Sequence, residues 1–108
     1  MKPDISLYGL LDPQIARGRP LADLAVAAAR GGATLLQYRA KLADTRGMIS
    51  EVRAILSALA GTGVPLLVND RVDVALAARA DGVHLGNEDL DPADARRLLG
   101  PQAIIGAT

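Results

Sequence analysis

Cysteine, phenylalanine and tryptophan are absent from this sequence of 108 residues, and histidine occurs only once. Without cysteine the chain can form neither a disulfide bond nor a thiolate metal site, and a single histidine argues against a transition-metal centre. No apolar run approaches the roughly 18 residues that span a bilayer, and Asp4 interrupts the amino-terminal segment before a signal-like core could form. We therefore expect a cytoplasmic protein without a membrane partner.

An excess of either charge is also lacking, because 12 basic side chains balance 12 acidic ones. This balance creates no electrostatic field that would attract nucleic acid or an anionic membrane, so any phosphate binding must be local. Half of the residues are hydrophobic, as in an ordinary globular domain. We expect a single domain over residues 1–108.

Short apolar segments alternate along the chain with segments of helical period. Strands are predicted over residues 5–11, 33–41, 64–70, 81–86 and 103–108. Helices are predicted from Pro20, after Asp44 or Thr45 as the N-cap, from Arg71 to about Arg79, and from Pro92 after the N-cap Asp91. The helix that follows Asp44 or Thr45 has the clearest apolar stripe.

This alternation of strands and helices predicts right-handed βαβ crossovers and a parallel sheet, and thus an α/β domain. Two architectures accommodate it. One is a parallel (β/α) barrel of the TIM type, of which this chain would form only the first five strands and four helices. The other is an open, flavodoxin-like, doubly wound sheet. The chain reaches Thr108 without the closing helix that usually completes an α/β domain, which favours the incomplete barrel.

Two cations and an amide follow one another in the second predicted strand, in the segment QYRAK. Gln37, Arg39 and Lys41 have a spacing of two residues, so in a strand they lie on one face. Buried charges are costly unless they meet an anion, and a phosphate or pyrophosphate suits an arginine fork beside a lysine. The alternative, which the segment taken alone favours, is that the strand ends at Tyr38 and both cations are solvated.

Acidic and amide side chains follow the third and fourth strands. Taken singly, Asp70 is expected to cap the following helix and Asp89 to be a solvated loop residue. In a parallel sheet, however, the carboxyl ends of the strands meet at one rim, where these carboxylates would lie beside Arg39 and Lys41. Carboxylates beside phosphate-binding cations are typical of a Mg²⁺ site. We expect His84 to be a hydrogen-bonded interior residue rather than a catalyst.

Three segments resemble, in order and spacing, the motifs of the thiamine-phosphate synthase family. They are LLQYRAK, LLVNDRVDVALAARADGVHLGNED and the terminal IIGAT. The resemblance implies a (β/α) barrel and a Mg²⁺-dependent transferase. Such an enzyme joins hydroxymethylpyrimidine pyrophosphate to thiazole phosphate and releases pyrophosphate. In this family the carbon–oxygen bond breaks largely before the thiazole nitrogen attacks, so catalysis is mostly electrostatic.

The resemblance also implies roles for individual residues. The residues expected to bind the pyrimidine pyrophosphate are Gln37, Arg39, Lys41 and Asn69, and those expected to hold Mg²⁺ are Asp70 and Asp89. Arg39 and Lys41 would act in catalysis by stabilising the charge that develops on pyrophosphate. Thr108 occupies the position of a small hydroxyl residue of the substrate site.

The sequence departs mildly from the family at Ala40 and Asn87 and strongly in length, since family members are nearly twice as long. The later half, with a further lysine and glycine-rich loops for the thiazole phosphate, is not in this sequence. We therefore expect the 108-residue chain alone to form little thiamine phosphate, and to self-associate or pair with a missing barrel half. Two alternatives remain open, a thiazole tautomerase-like paralogue and a non-catalytic phosphate-binding module.

Overall fold

The computed structural model describes residues 3–41 and 44–108. These residues form five strands, which are β1 (Tyr8–Leu11), β2 (Leu35–Tyr38), β3 (Leu66–Asn69), β4 (Gly82–Leu85) and β5 (Ile104–Ala107). Five helices connect them, which are α1 (Pro13–Ala16), α2 (Leu21–Arg30), α3 (Thr45–Leu59), α4 (Val72–Ala78) and α5 (Pro92–Leu99).

The strands form one parallel sheet whose spatial order follows the chain order, β1-β2-β3-β4-β5. A flavodoxin-like sheet would place β1 inside the order 2-1-3-4-5. The open doubly wound alternative is therefore wrong. Consecutive parallel strands joined by helices are the arrangement of a (β/α) barrel, and the predicted first five strands are confirmed.

The first connection contains a short helix that the sequence analysis missed. Asp12 caps α1 by accepting a hydrogen bond from the Gln14 amide at 2.9 Å, and Pro13 occupies the first turn. Four residues are too few to show helical periodicity. The predicted first strand is also shorter than expected, because Ile5 and Leu7 precede it and are exposed.

The predicted caps of α3 and α5 are confirmed. Asp44 accepts a hydrogen bond from the Gly47 amide at 2.7 Å at the start of α3, and Asp91 accepts one from the Ala93 amide at 2.8 Å before α5. Such caps satisfy amides that lack partners at a helix start. These local hydrogen bonds fix the residues at which α3 and α5 begin.

The hydrophobic core lies between the helices and one face of the sheet. Its strand residues include Leu36, Tyr38, Leu66, Val68, Val83 and Leu85. The Tyr38 hydroxyl donates a hydrogen bond to Glu51 of α3, which attaches β2 to that helix. None of the helices in the described part of the chain is long and apolar enough to cross a membrane.

The other face of the sheet, here called the inner face, carries the alternate residues of each strand. Gln37 lies on it, opposite the helix-facing Tyr38, as the period of two predicts. Tyr8 and Leu10 of β1 are 38% and 57% exposed there. Parallel sheets normally have both faces covered. We therefore expect another part of a protein to pack against the inner face.

Candidate active site

The predicted site residues lie on the inner face or at the carboxyl ends of β2, β3, β4 and β5. The strand register places Asn69 beside His84, and His84 beside Gly106. Because all strands are parallel, the loops that follow them leave from the same rim of the sheet. This rim is the candidate active site.

Gln37 is buried on the inner face, and its Nε2 donates a hydrogen bond to the Tyr8 hydroxyl at 2.7 Å. Burial raises the pKa of Tyr8, which the Gln37 bond partly offsets, so Tyr8 is a neutral partner at physiological pH. The hydrogen bond joins β1 to β2 and holds the Gln37 amide at a defined depth. Sequence reasoning missed Tyr8. It lies two residues before Leu10, the β1 partner of Gln37, and therefore on the same face of the sheet as Gln37.

Arg39 and Lys41 lie just beyond the end of β2. The strand ends at Tyr38, as the alternative interpretation expected, but the Arg39 amide continues the sheet pattern by donating to the Leu11 carbonyl at 2.9 Å. The half-buried Arg39 lies close enough to Asp70 for its charge to oppose the rise in the pKa of that carboxyl. Lys41 is exposed, next to residues 42–43 outside the described part of the chain.

Asp70 does not cap α4, so the expectation for this residue taken singly is wrong. Arg71 occupies the cap position, without a side-chain cap bond. Asp70 instead has a positive φ of 65°, in the left-handed region that Asp tolerates better than most residues. Its amide donates to the His84 carbonyl at 2.9 Å, and the next amide, of Arg71, donates back to the Asn69 carbonyl at 2.7 Å. This tight turn directs the Asp70 side chain toward the rim.

Asp70 and Asp89 come together at the rim as a pair of carboxyl groups. Burial raises the pKa of Asp70, and the hydrogen bond with Asp89 and its negative charge raise it further. The pKa of Asp89 is held below its ordinary value, first by the hydrogen bond with Asp70 and then by the Gly86 amide, which donates to Asp89 Oδ2 at 2.7 Å. Of the two carboxyl groups, Asp70 is therefore the one that binds a proton more readily.

The chemistry of these two carboxyl groups is a donor set that fits Mg²⁺. Within residues 3–41 and 44–108, no group of three or more acidic, histidine or cysteine side chains could hold a metal ion by itself. Magnesium, however, is usually bound by one or two carboxylates, with substrate phosphates and water as the other ligands. Asp70 and Asp89 beside Arg39 match that pattern.

His84 and Thr108 complete the rim on the side of β5. Their side chains share a hydrogen bond of 2.7 Å between His84 Nε2 and Thr108 Oγ1. Gly106 leaves room for the His84 ring, because a Cβ there would lie 2.7 Å from His84 Nδ1. His84 is thus hydrogen-bonded and half-buried, as expected, and the role of Thr108 in substrate binding stays a prediction.

Arg71 is a second residue that sequence reasoning missed. Its guanidinium forms a bidentate pair with Asp73, with nitrogen–oxygen distances of 2.9 and 2.8 Å, and reaches Thr45 Oγ1 of α3 at 2.9 Å. The arginine–aspartate spacing of two residues was visible in the sequence, but a contact with α3, 26 residues away, was not.

Comparison with known proteins gives this rim a context. The family model described as thiamine monophosphate synthase matches residues 7–108. The chain is 59% identical to the thiamine-phosphate synthase of Agrobacterium fabrum over 107 residues, which cover 99% of this chain and 49% of that protein. It is 50% identical to the thiamine-phosphate synthase of Xanthobacter autotrophicus, over 95% of this chain and 49% of that one.

A solved structure supports the same relationship. The thiamine phosphate pyrophosphorylase of Pyrococcus furiosus superposes with a TM-score of 0.79 at 37% identity, over 94% of this chain and 48% of that one. The chain spans about half the length of the curated relatives it matches. The predicted family is confirmed, and this chain belongs to the thiamine monophosphate synthase family.

Proposed function

We propose that this chain forms the part of a thiamine-phosphate synthase that binds hydroxymethylpyrimidine pyrophosphate and its Mg²⁺. The observation that carries the proposal is the pair of carboxyl groups, Asp70 and Asp89, held beside Arg39 at the rim of a parallel sheet. Two neighbouring acidic groups without a counter-charge repel each other. A divalent cation with a bound pyrophosphate would remove this repulsion. Family membership supports the transferase class.

In the proposed reaction the pyrimidine carbon loses its bond to a pyrophosphate oxygen and gains a bond to the thiazole nitrogen. The electron pair of the broken bond leaves with pyrophosphate. Arg39 and Lys41 would bind the leaving group and stabilise its growing charge, an electrostatic contribution that needs no proton transfer. Gln37 and Asn69, on the inner face below the rim, would orient the pyrimidine ring.

Bound Mg²⁺ would neutralise charge on the pyrophosphate oxygens. Asp70 and Asp89 would hold it, and the Gly86 amide would keep Asp89 in position through its 2.7 Å hydrogen bond. The positive φ of Asp70 would aim the second carboxylate at the same point. These residues are contributed by two successive strands, so the site depends on the pairing of β3 with β4.

The thiazole phosphate is proposed to bind to a second half, which would also cover the inner face. Tyr8 and Leu10 leave apolar surface on that face, and within the described residues β1 and β5 each pair with a single neighbour. The curated relatives are about twice as long as this chain. We expect the 108-residue chain alone to self-associate through the same face. A cytoplasmic location stays a prediction from the sequence.

The test of this proposal is thiamine phosphate formation from both substrates with Mg²⁺. It should be measured on the 108-residue chain alone and on the chain mixed with a complementary carboxyl-terminal half from a relative. We expect little product from the chain alone, because positioning both substrates can account for roughly 7 to 11 kcal/mol of barrier lowering. We expect turnover in the mixture, and its loss with Arg39→Ala or Lys41→Ala.

Arg46→Ala is the matched control, since Arg46 is an exposed arginine in the first turn of α3 that lines an outer groove with Ile49, Ser50 and Arg53. It should leave turnover unchanged. A folded mixture that binds pyrophosphate but makes no product would contradict the synthase proposal and favour the non-catalytic module. Conversion of a thiazole tautomer without coupling would favour the tautomerase-like paralogue.

A further inference from the structure

The turn at Asp70 is strained and must be held by its surroundings. Asp70 has a φ of 65°, and the Arg71 amide donates across it to the Asn69 carbonyl at 2.7 Å, so the turn spans only three residues. Turns of this kind with positive φ are rare and strained, and such strain persists only where neighbouring structure imposes it.

One side of the turn is fixed by the sheet, because the Asp70 amide donates to the His84 carbonyl of β4 at 2.9 Å. The other side is fixed by the Arg71 side chain. Its Nε and Nη2 bind both oxygens of Asp73 in the first turn of α4, and this paired fork holds the guanidinium in one plane. The backbone on the carboxyl side of Asp70 is thereby attached to α4.

The same guanidinium also reaches α3. Arg71 Nη2 donates to Thr45 Oγ1 at 2.9 Å, and Nη1 lies 3.7 Å from Met48 Sδ. Thr45 is the first residue of α3, whose preceding segment contains Arg39 and Lys41. Arg71 therefore connects the turn that carries a carboxylate to the helix start that follows the two cations.

We propose that Arg71 is a positioning residue for the metal–pyrophosphate site. Its contacts with Asp73 and Thr45 hold the Asp70 turn so that the carboxylate of Asp70 faces Asp89. We assign Arg71 no direct contact with pyrophosphate, because its Nε and Nη2 donors are directed to α4 and α3. The inference rests on the proposed function for the identity of the ligand, but the structure of the turn can be tested separately.

The experiment uses the 108-residue chain with Arg71→Met, Arg71→Lys and Thr45→Val. Pyrophosphate affinity is measured with and without Mg²⁺, and hydrogen exchange is measured at the amides of Asp70 and Arg71. In Arg71→Met we expect faster exchange at both amides and a loss of about tenfold in the Mg²⁺-dependent gain in affinity, with Mg²⁺-free affinity unchanged. Lysine should not restore the gain, since it lacks the planar fork. Thr45→Val, which removes only the hydrogen bond from Arg71 to α3, should lose part of the Mg²⁺-dependent gain in pyrophosphate affinity.

Arg53→Met is the matched control, because Arg53 also connects α3 to α4, through the Ala77 carbonyl at 3.2 Å, but far from the rim. It should change neither readout. Unchanged exchange at Asp70 and Arg71 in Arg71→Met would overturn the inference, and so would an equal fall in affinity with and without Mg²⁺, which would make Arg71 a direct ligand. Absence of any Mg²⁺-dependent gain in the parent chain would contradict the proposed function instead, and the exchange rates would still decide whether Arg71 holds the turn.

Discussion

The Asp70→Asn substitution separates the metal-binding role of the paired carboxyl groups from the other properties of Asp70. Asparagine has the same size and also tolerates the positive φ of 65° at this position. Its amide can donate a hydrogen bond to Asp89, as the protonated carboxyl does. The substitution therefore removes one negative charge and one metal ligand while the turn is retained.

The expected effects on pyrophosphate binding have opposite signs with and without Mg²⁺. Without the metal, the variant presents one negative charge fewer to a polyanion. Two unit charges about 4 Å apart in water interact by about 1 kcal/mol. Asp70 is largely exposed, although the slight burial of its carboxyl raises its pKa, so binding should tighten by no more than about fivefold. With Mg²⁺, affinity should fall by about 10- to 100-fold, the loss typical even of a group that only supports a metal ligand.

Isothermal titration calorimetry of pyrophosphate, with and without Mg²⁺, measures both effects. Glu88→Gln is the control, since Glu88 is an exposed acid adjacent to Asp89 and its loss changes the charge of the loop without removing either carboxyl of the pair. The reasoning is refuted if Asp70→Asn retains the full Mg²⁺-dependent gain in affinity. It is also refuted if Glu88→Gln has the same effect, because the response would then reflect net charge alone.

The same substitution should stabilise the metal-free protein at neutral pH. The pKa of Asp70 is raised above its ordinary value of 3.8 by burial and by Asp89. The folded state therefore binds this proton more tightly than the unfolded state, and stability is lost as the pH rises from 3.8 through the raised pKa. The variant, which mimics the protonated carboxyl, should melt at a higher temperature at pH 7 and at the same temperature well below pH 3.8. Equal melting temperatures at pH 7 would contradict the assigned direction.

Three further predictions concern the sheet that supports the site. Tyr38→Phe removes the hydrogen bond to Glu51 and should cost about 1.5 kcal/mol, a fall in Tm of about 6–12 °C in thermal denaturation; a change below about 2 °C would show that the bond contributes nothing net. Gly106→Ala should displace the His84 ring, whose Nδ1 would lie 2.7 Å from the new methyl carbon, at a cost of about 1–3 kcal/mol; an unchanged His84 ring resonance in NMR spectra would contradict this. Leu10→Lys should weaken self-association at least about tenfold in sedimentation, because a leucine contributes about 1.5–3 kcal/mol when buried; an unaltered sedimentation profile would exclude the inner face as the interface.

The strands and the longer helices could be predicted because their signals are local. Apolar runs, caps such as Asp44 and Asp91, and glycines at helix ends each act within a few residues. The order of the strands in the sheet does not follow from these local signals, since the same alternation of elements suits both a barrel and a doubly wound sheet. The family resemblance was what implied the barrel. The strand order that decides between the two architectures depends on pairing between residues such as Leu36 and Leu66, far apart in sequence.

The sequence indicated which residues come together at the rim, but not the local geometry that holds them there. Convergence of Arg39, Asp70 and Asp89 follows from parallel strands alone, so it could be expected before the structure was known. The positive φ of Asp70 could not, because the cap expected from its place before α4 is a commoner role for Asp. The contact between Arg71 and Thr45 depends on how α3 packs beside α4, and no local pattern encodes it.

The depth of the polar groups suggests how the substrate lies in the site. Gln37, a neutral amide, is buried on the inner face and bonded to Tyr8, whereas Arg39 follows two residues later at the rim beside Asp70. A buried amide can satisfy the donors and acceptors of a polar ring without the cost of desolvating a charge, and charged groups keep access to water and Mg²⁺ at the rim. We therefore expect the pyrimidine ring below and the pyrophosphate above. Gln37→Leu should accordingly weaken binding of the complete pyrimidine pyrophosphate and leave the affinity for free pyrophosphate unchanged in calorimetry, while an equal effect on both ligands would reverse the proposed orientation.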